Sequence, residues 1–190
     1  MRPDIHRELI PRDDALHLIR ALNALKDETY KAAHQWELLD EDGHVPAAPS
    51  YTLLVQHAAD AQDLSRDVLR LAADFARSPH HTTRVGETVL RHLATAAAMS
   101  SHAAPHFAET AECALSLPRS ANSTDRHHLT NRMVIDHASA RAFLRRTSES
   151  LRDAAKELDD HLGLQRFLAP LTRQEGPPAP PPPRPGGRHR

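Results

Sequence analysis

Four stretches of this chain set apolar residues at alternating three- and four-residue steps, and that rhythm constrains the fold more than any other feature. The first follows "IPRDD", where Asp13 is a candidate N-cap and Asp14 suits the first helical turn. It reads Ala15, Leu18, Leu22, Leu25, Thr29, Ala32, Trp36 and Leu39, and Gly43, Pro46 and Pro49 break it. Ser50 is placed to cap the second, which reads Leu54, His57, Ala61, Leu64, Val68, Leu71 and Phe75 and ends at Ser78-Pro79. The third opens near Thr83 with Val85, Val89, His92, Ala96, Met99, Ala103, His106, Thr110 and Ala114, and stops at Leu117-Pro118. Ser123, Thr124 or Asp125 caps the fourth: Leu129, Met133, His137, Ala140, Leu144, Thr147, Leu151, Ala154, Leu158 and Leu162. Gly163 then stands where a left-handed C-cap is wanted.

A step averaging 3.5 residues favours left-handed packing with helices crossing near 20 degrees. Four long helices joined by short polar loops are expected to form an antiparallel up-down-up-down four-helix bundle, an all-α fold. Little argues for strands, since β-branched residues are thin and aromatics only 4% of the chain. Pro105 falls inside the third stripe, where proline removes a backbone hydrogen bond, and so predicts a kink with room for a pocket beside it. Residues 1–12 read as an N-terminal extension, 13–172 as a single bundle domain and 173–190 as a Pro/Arg-rich tail. That tail, ending "GPPAPPPPRPGGRHR", is expected to be disordered or transiently polyproline II. Before it, "LQRFLAPL" is expected to dock as a short cap through Phe167, Leu168 and Leu171.

Charge narrows the partners. Against 24 Lys plus Arg stand 25 Asp plus Glu, so the chain lacks the basic surplus that binding to a phosphate backbone requires. Arg141, Arg145, Arg146 and Arg152 form a local basic band, but Glu149, Asp153 and Glu157 interleave it and point to an ion-paired solvent face. Cys113 is the single cysteine, and its setting in "ETAECALSL" reads as a buried small hydrophobe. One cysteine, no secretory leader at the start and no apolar run of membrane-spanning length lead to the expectation of a soluble cytoplasmic protein.

The 15 histidines hold the remaining chemistry. "TDRHHLTNRMVIDH" opens the fourth helix, and His127 and His128 there are expected to face water. Asp136 and His137 are adjacent, so on a helix they diverge by about 100 degrees and form no tight dyad. At about 1.5 Å of rise per residue, His57, His106 and His137 fall at similar heights, about 30, 34 and 27 Å, on three helices beside Pro105. Three converging imidazoles would suit zinc. Yet Ala58, Phe107 and Ala138 are apolar neighbours better suited to the core, which places the three rings at its edge with their nitrogens in water. The Glu-x-x-His pair of di-iron bundles is absent, and His106-x-x-Glu109 is that pair reversed.

No phosphate-cradling glycine loop and no Gly-x-Ser-x-Gly elbow occurs. The sequence therefore reads as a non-enzymatic bundle acting through protein–protein interaction, with itself or a partner. No residue is assigned a catalytic, cofactor-binding or metal-ligating role. The alternative is a metal- or small-ligand-binding bundle with its site near the Pro105 kink. A weaker alternative is nucleic-acid association through the Arg141–Arg152 face. The oligomeric state is open.

Overall fold

The computed structural model describes residues 9–172. The first eight residues and the tail from position 173 lie outside them, and with them the expectations of disorder and polyproline conformation. Four helices carry the fold: α1 (Arg12–Gln35), α2 (Tyr51–Arg77), α3 (Arg84–Ser116) and α4 (Ser123–Thr172). Short 3-10 turns at Pro79–Thr82 and Leu117–Arg119 flank α3, and no strand occurs among the described residues.

The stripes meet in three layers that fix the helix directions. One end layer joins Ala15 and Leu22 of α1, Val68 and Phe75 of α2, Val89 and Leu93 of α3, and Leu151 and Leu158 of α4. The middle layer joins Ala32 and Ala33, Ala61, Ala103 with Phe107, and Ala140 with Leu144. The far layer joins Leu38, Leu54, Ala111 and Met133. Numbers rise along this sequence of layers in α1 and α3 and fall in α2 and α4, so the bundle runs up-down-up-down. Its most extensive seam lies between α3 and α4; α2 packs on α3 and α1 on α4, whereas α1 and α2 meet sparingly. Threonines on the stripes stay satisfied because Thr29, Thr110 and Thr147 donate to carbonyls one turn back at 2.8–2.9 Å.

Helix ends follow the cap chemistry, with three corrections. Ser50 accepts the Leu53 N–H at 3.3 Å, and Thr83 accepts that of Gly86 at 3.0 Å, as expected of N-caps. Helix α1 instead begins after Pro11, which offers no side-chain acceptor, and Asp13 and Asp14 lie in its first turn. Asn122, not one of the next three residues, takes the Thr124 N–H at 2.8 Å at the start of α4. Gly163 does not end α4: among the described residues Gly43 alone has a positive φ, and the helix continues to Thr172. The segment expected to dock as a short cap continues α4 instead, with Leu164 54% and Phe167 70% exposed; the side chains of Leu168 and Leu171 lie outside the described ones. α3 runs unbroken through Pro105.

The N-terminal extension also joins the bundle at its last residues. Ile10 is buried to 1% exposure, its N–H donates to His161 Nε2 at 3.2 Å, and Gln165 donates to its carbonyl at 2.8 Å.

Gly86 yields a sharp test of the α2–α3 corner. Thr83 Oγ1 donates to the His80 carbonyl at 2.8 Å, which draws the 3-10 turn over the first turn of α3. A Cβ at Gly86 would collide with that same backbone carbonyl. Alanine normally favours a helix by about 1 kcal/mol over glycine, but this overpacking costs about 2 kcal/mol. Gly86→Ala is expected to lower the urea midpoint; an unchanged or raised midpoint would show that the turn yields.

Candidate functional site

The structure separates the three histidines singled out by the sequence, His57 on α2, His106 on α3 and His137 on α4. His57 and His137 turn into the core, 5% and 3% exposed, with ring centres 6.4 Å apart. The sequence places both at the core's edge, and the structure corrects this by burying them. His106 does not join them. It stands half-buried in the α3–α4 seam, and Phe107 takes the core position beside it at 0% exposure.

In the core, four rings pack together. Trp36, the residue that ends α1, stacks on His57 with centres 4.8 Å apart and planes 5° from parallel. Phe107 meets Trp36, His57 and His137 edge-on at 5.2, 5.8 and 5.3 Å. The alanine-rich middle layer makes space for these rings, because small side chains fill little of the volume between helices. His57 Nδ1 and His137 Nε2 are buried without a hydrogen-bond partner. Burial holds the His57 imidazole below its ordinary pKa, with Asp60 opposing. His137 is lowered to about 4 by burial, and then by Arg141 and His57.

Arg141 is near because it serves α1. Its Nε donates to the Ala33 carbonyl at 2.7 Å, satisfying one of the carbonyls that a helix end leaves free. Outside His137 lies a pocket of 320 Å³, whose opposite wall is the loop after α1. That loop is held by Asp40, which accepts the Asp42 and His44 N–H groups at 3.1 and 2.9 Å, and it turns at Gly43 with φ of +78°.

In the seam, a second cluster forms. His106 Nδ1 lies 3.3 Å from Asp136 Oδ1 and 3.8 Å from Glu109 Oε2. One donor atom from each of His106, Glu109 and Asp136 lies within 4.8 Å of the others. Asp136 is 7% exposed, yet its Oδ2 accepts no hydrogen bond. The nearest cation is Arg132, one turn earlier on α4, at 3.4 Å from that oxygen and 3.9 Å from Glu109. Phe143 stacks on His106 at 5.6 Å and fixes the ring's plane. Asp136 and His137 do diverge as expected: one faces α3 across the seam, the other the core. His106-x-x-Glu109 supplies half of this cluster, but its completion by Asp136 depends on helix register and carries no local signal.

The other expectations sort plainly. His127 and His128 are exposed, and Cys113 is buried. Burial pushes the Cys113 thiol above its ordinary pKa, so it is held protonated. The arginine band loses one member: Arg141 turns inward to Ala33, whereas Arg145, Arg146 and Arg152 are exposed and Arg152 pairs with Asp153 at 3.1 Å. Among the described residues no helix is long and apolar enough to cross a membrane. Comparison with protein-family models, with curated proteins and with solved structures finds no match to this chain.

Proposed function

We propose that this protein is a metal-binding helical bundle, non-enzymatic in role, that holds a divalent transition-metal ion at His106, Glu109 and Asp136. The observation that carries this reading is Asp136: a carboxylate 7% exposed whose Oδ2 has no hydrogen-bond donor, beside an imidazole and a second carboxylate. An unmet buried carboxylate oxygen calls for a cation. Arg132 supplies one only loosely, at 3.4 and 3.9 Å, from a side chain 58% exposed and free to swing away. One imidazole and two carboxylates neutralise a dication and suit zinc, manganese or ferrous iron. The half-exposed sides of His106 and Glu109 leave the remaining positions to water.

The interaction reading is supported less directly. Strongly exposed large apolar side chains are spread over all four helices, from Tyr30 and Leu69 to Ile135 and Phe167, and isolated ones are normal on soluble surfaces.

Calorimetric titration of the untagged chain with zinc and with manganese tests the metal site. At least one ion is expected to bind at one per chain, about 10–100-fold more weakly in Asp136→Asn and more tightly in Arg132→Gln. Binding that Asp136→Asn leaves unchanged would locate the ion on other histidines and overturn the proposal, as would no binding of either ion.

A further inference from the structure

The ring cluster in the core poses a different problem of charge. Two imidazoles from different helices, each more than nine-tenths buried, present nitrogens that no protein group meets. Such atoms are uncommon in folded proteins and ask for an occupant. An ion bonded at about 2 Å to one nitrogen of each ring sets the ring centres roughly 5–6.5 Å apart, and the observed separation is 6.4 Å.

The surroundings choose the ion. No carboxylate belongs to the ring cluster; Asp60 acts on His57 from outside, and Arg141 places positive charge beside His137. A dication there would keep its full charge in a low-dielectric site, and the desolvation penalty grows with the square of charge. A monovalent ion that accepts two nitrogen donors in line carries half that charge, so its desolvation penalty is about a quarter as large and its repulsion from Arg141 about half. Imidazole is a suitable donor for copper, and the face of Trp36 stacked on His57 adds an electron-rich wall. Beside Trp36 the sparse α1–α2 contact leaves a groove of 370 Å³ lined by Glu28, Lys31, Asp60, Asp63 and Asp67, a net acidic surface next to the ring cluster.

We propose that His57 Nδ1 and His137 Nε2 bind one cuprous ion in the core, a site separate from the seam cluster. Both rings bind as neutral imidazoles, with the proton of His57 on Nε2 and that of His137 on Nδ1. No proton is released and no electron is transferred; copper arrives and remains in the monovalent state.

The test is anaerobic titration of the full chain with cuprous ion against a colorimetric cuprous chelator, with Trp36, the chain's only tryptophan, as a fluorescent reporter. One equivalent is expected to bind and quench Trp36, and X-ray absorption is expected to show nitrogen without sulfur around copper. His57→Leu and His137→Leu remove the unmet nitrogens in favour of apolar side chains, so they should stay folded by circular dichroism while losing copper affinity at least 100-fold. Glu109→Gln is expected to keep copper, which separates failure here from failure of the seam site. Sulfur in the first shell would place the ion on Cys113 and overturn the assignment. So would copper affinity unchanged in His57→Leu, an unquenched Trp36, or no binding against the chelator, in which case the nitrogens hold only water.

Discussion

Replacing Phe107 with alanine is expected to destabilise the protein by about 4 kcal/mol, at the level of the larger core truncations. Phe107 is 0% exposed and is the largest buried side chain of the middle layer, whose other buried members are chiefly alanines. A phenyl ring removed from among longer side chains leaves a void that they can partly enter. Alanine has no rotamer to move, so the space closes only by helix displacement or by movement of Leu144 and of the Trp36, His57 and His137 rings, which are held by their own contacts. The variant also loses the edge-on contacts to Trp36, His57 and His137 at 5.2–5.8 Å. For a chain of 190 residues this corresponds to a fall in melting temperature on the order of 10 °C. Trp36 emission should shift to the red as water reaches the ring. Phe143→Ala, at a half-buried position in the seam, is the comparison and should lose clearly less. Equal losses would mean that Phe107 is not the keystone of the layer.

The same residue shows how far the sequence could be read. In α3 the rhythm of threes and fours admits two phases that share Val89, Ala96, Ala103 and Thr110. One adds His92, Met99 and His106; the other adds Leu93, Ser100 and Phe107, and it is the second that is buried. Because the shared positions are small, they do not choose between the phases. The bulk at Leu93 and Phe107 does, and it was the signal that could have placed His106 in the seam. In α4 no such ambiguity arises: from Met133 to Leu162 every stripe position is buried, because long apolar side chains recur on one face throughout. Leu39 failed for a simpler reason. Helix α1 ends at Gln35, the extended backbone that follows alternates its side chains, and Leu38 takes the buried side.

The seam cluster and the core pair were less legible because they are properties of register between helices. His57 and His137 stood on their stripes, which made burial the geometric expectation, and polarity argued against it. Packing prevailed where the neighbours are rings: Trp36 and Phe107 cover both imidazoles, which neutral histidine tolerates far better than a charged side chain would. Arg141 read as part of a solvent-facing band for a similar reason. Its aliphatic stem crosses the α1–α4 seam to a free carbonyl that only the assembled bundle supplies.

Those buried imidazoles should make the fold sensitive to mild acid. A histidine whose pKa is lower in the folded chain is neutral there while the unfolded chain takes up a proton, so stability is complete above the ordinary value near 6.5 and falls as pH drops toward the folded value. For His137, lowered from 6.5 to about 4, this amounts to about 2 kcal/mol lost by pH 5 and about 3 by pH 4. Arg141 and His57 are the charged and titratable groups that oppose its protonation, and no carboxylate compensates. His57 and His161 are lowered as well, by burial, with Asp60 and Glu157 in opposition, so all three act with one sign. At His161 the loss has a structural form. Its Nε2 accepts the Ile10 N–H at 3.2 Å and the Gln165 amide at 2.8 Å, and a protonated ring would turn a third donor toward those two. Urea unfolding at pH 7.5, 6 and 5 should therefore show a progressive fall, within a range where most carboxylates remain ionised. His137→Leu should flatten the profile, and hydrogen exchange at Ile10 should quicken in acid ahead of global unfolding. Stability that holds level from pH 7.5 to 5 would mean that these rings reach water in the folded chain, and the account of both the core pair and the Ile10 anchor would fall with it.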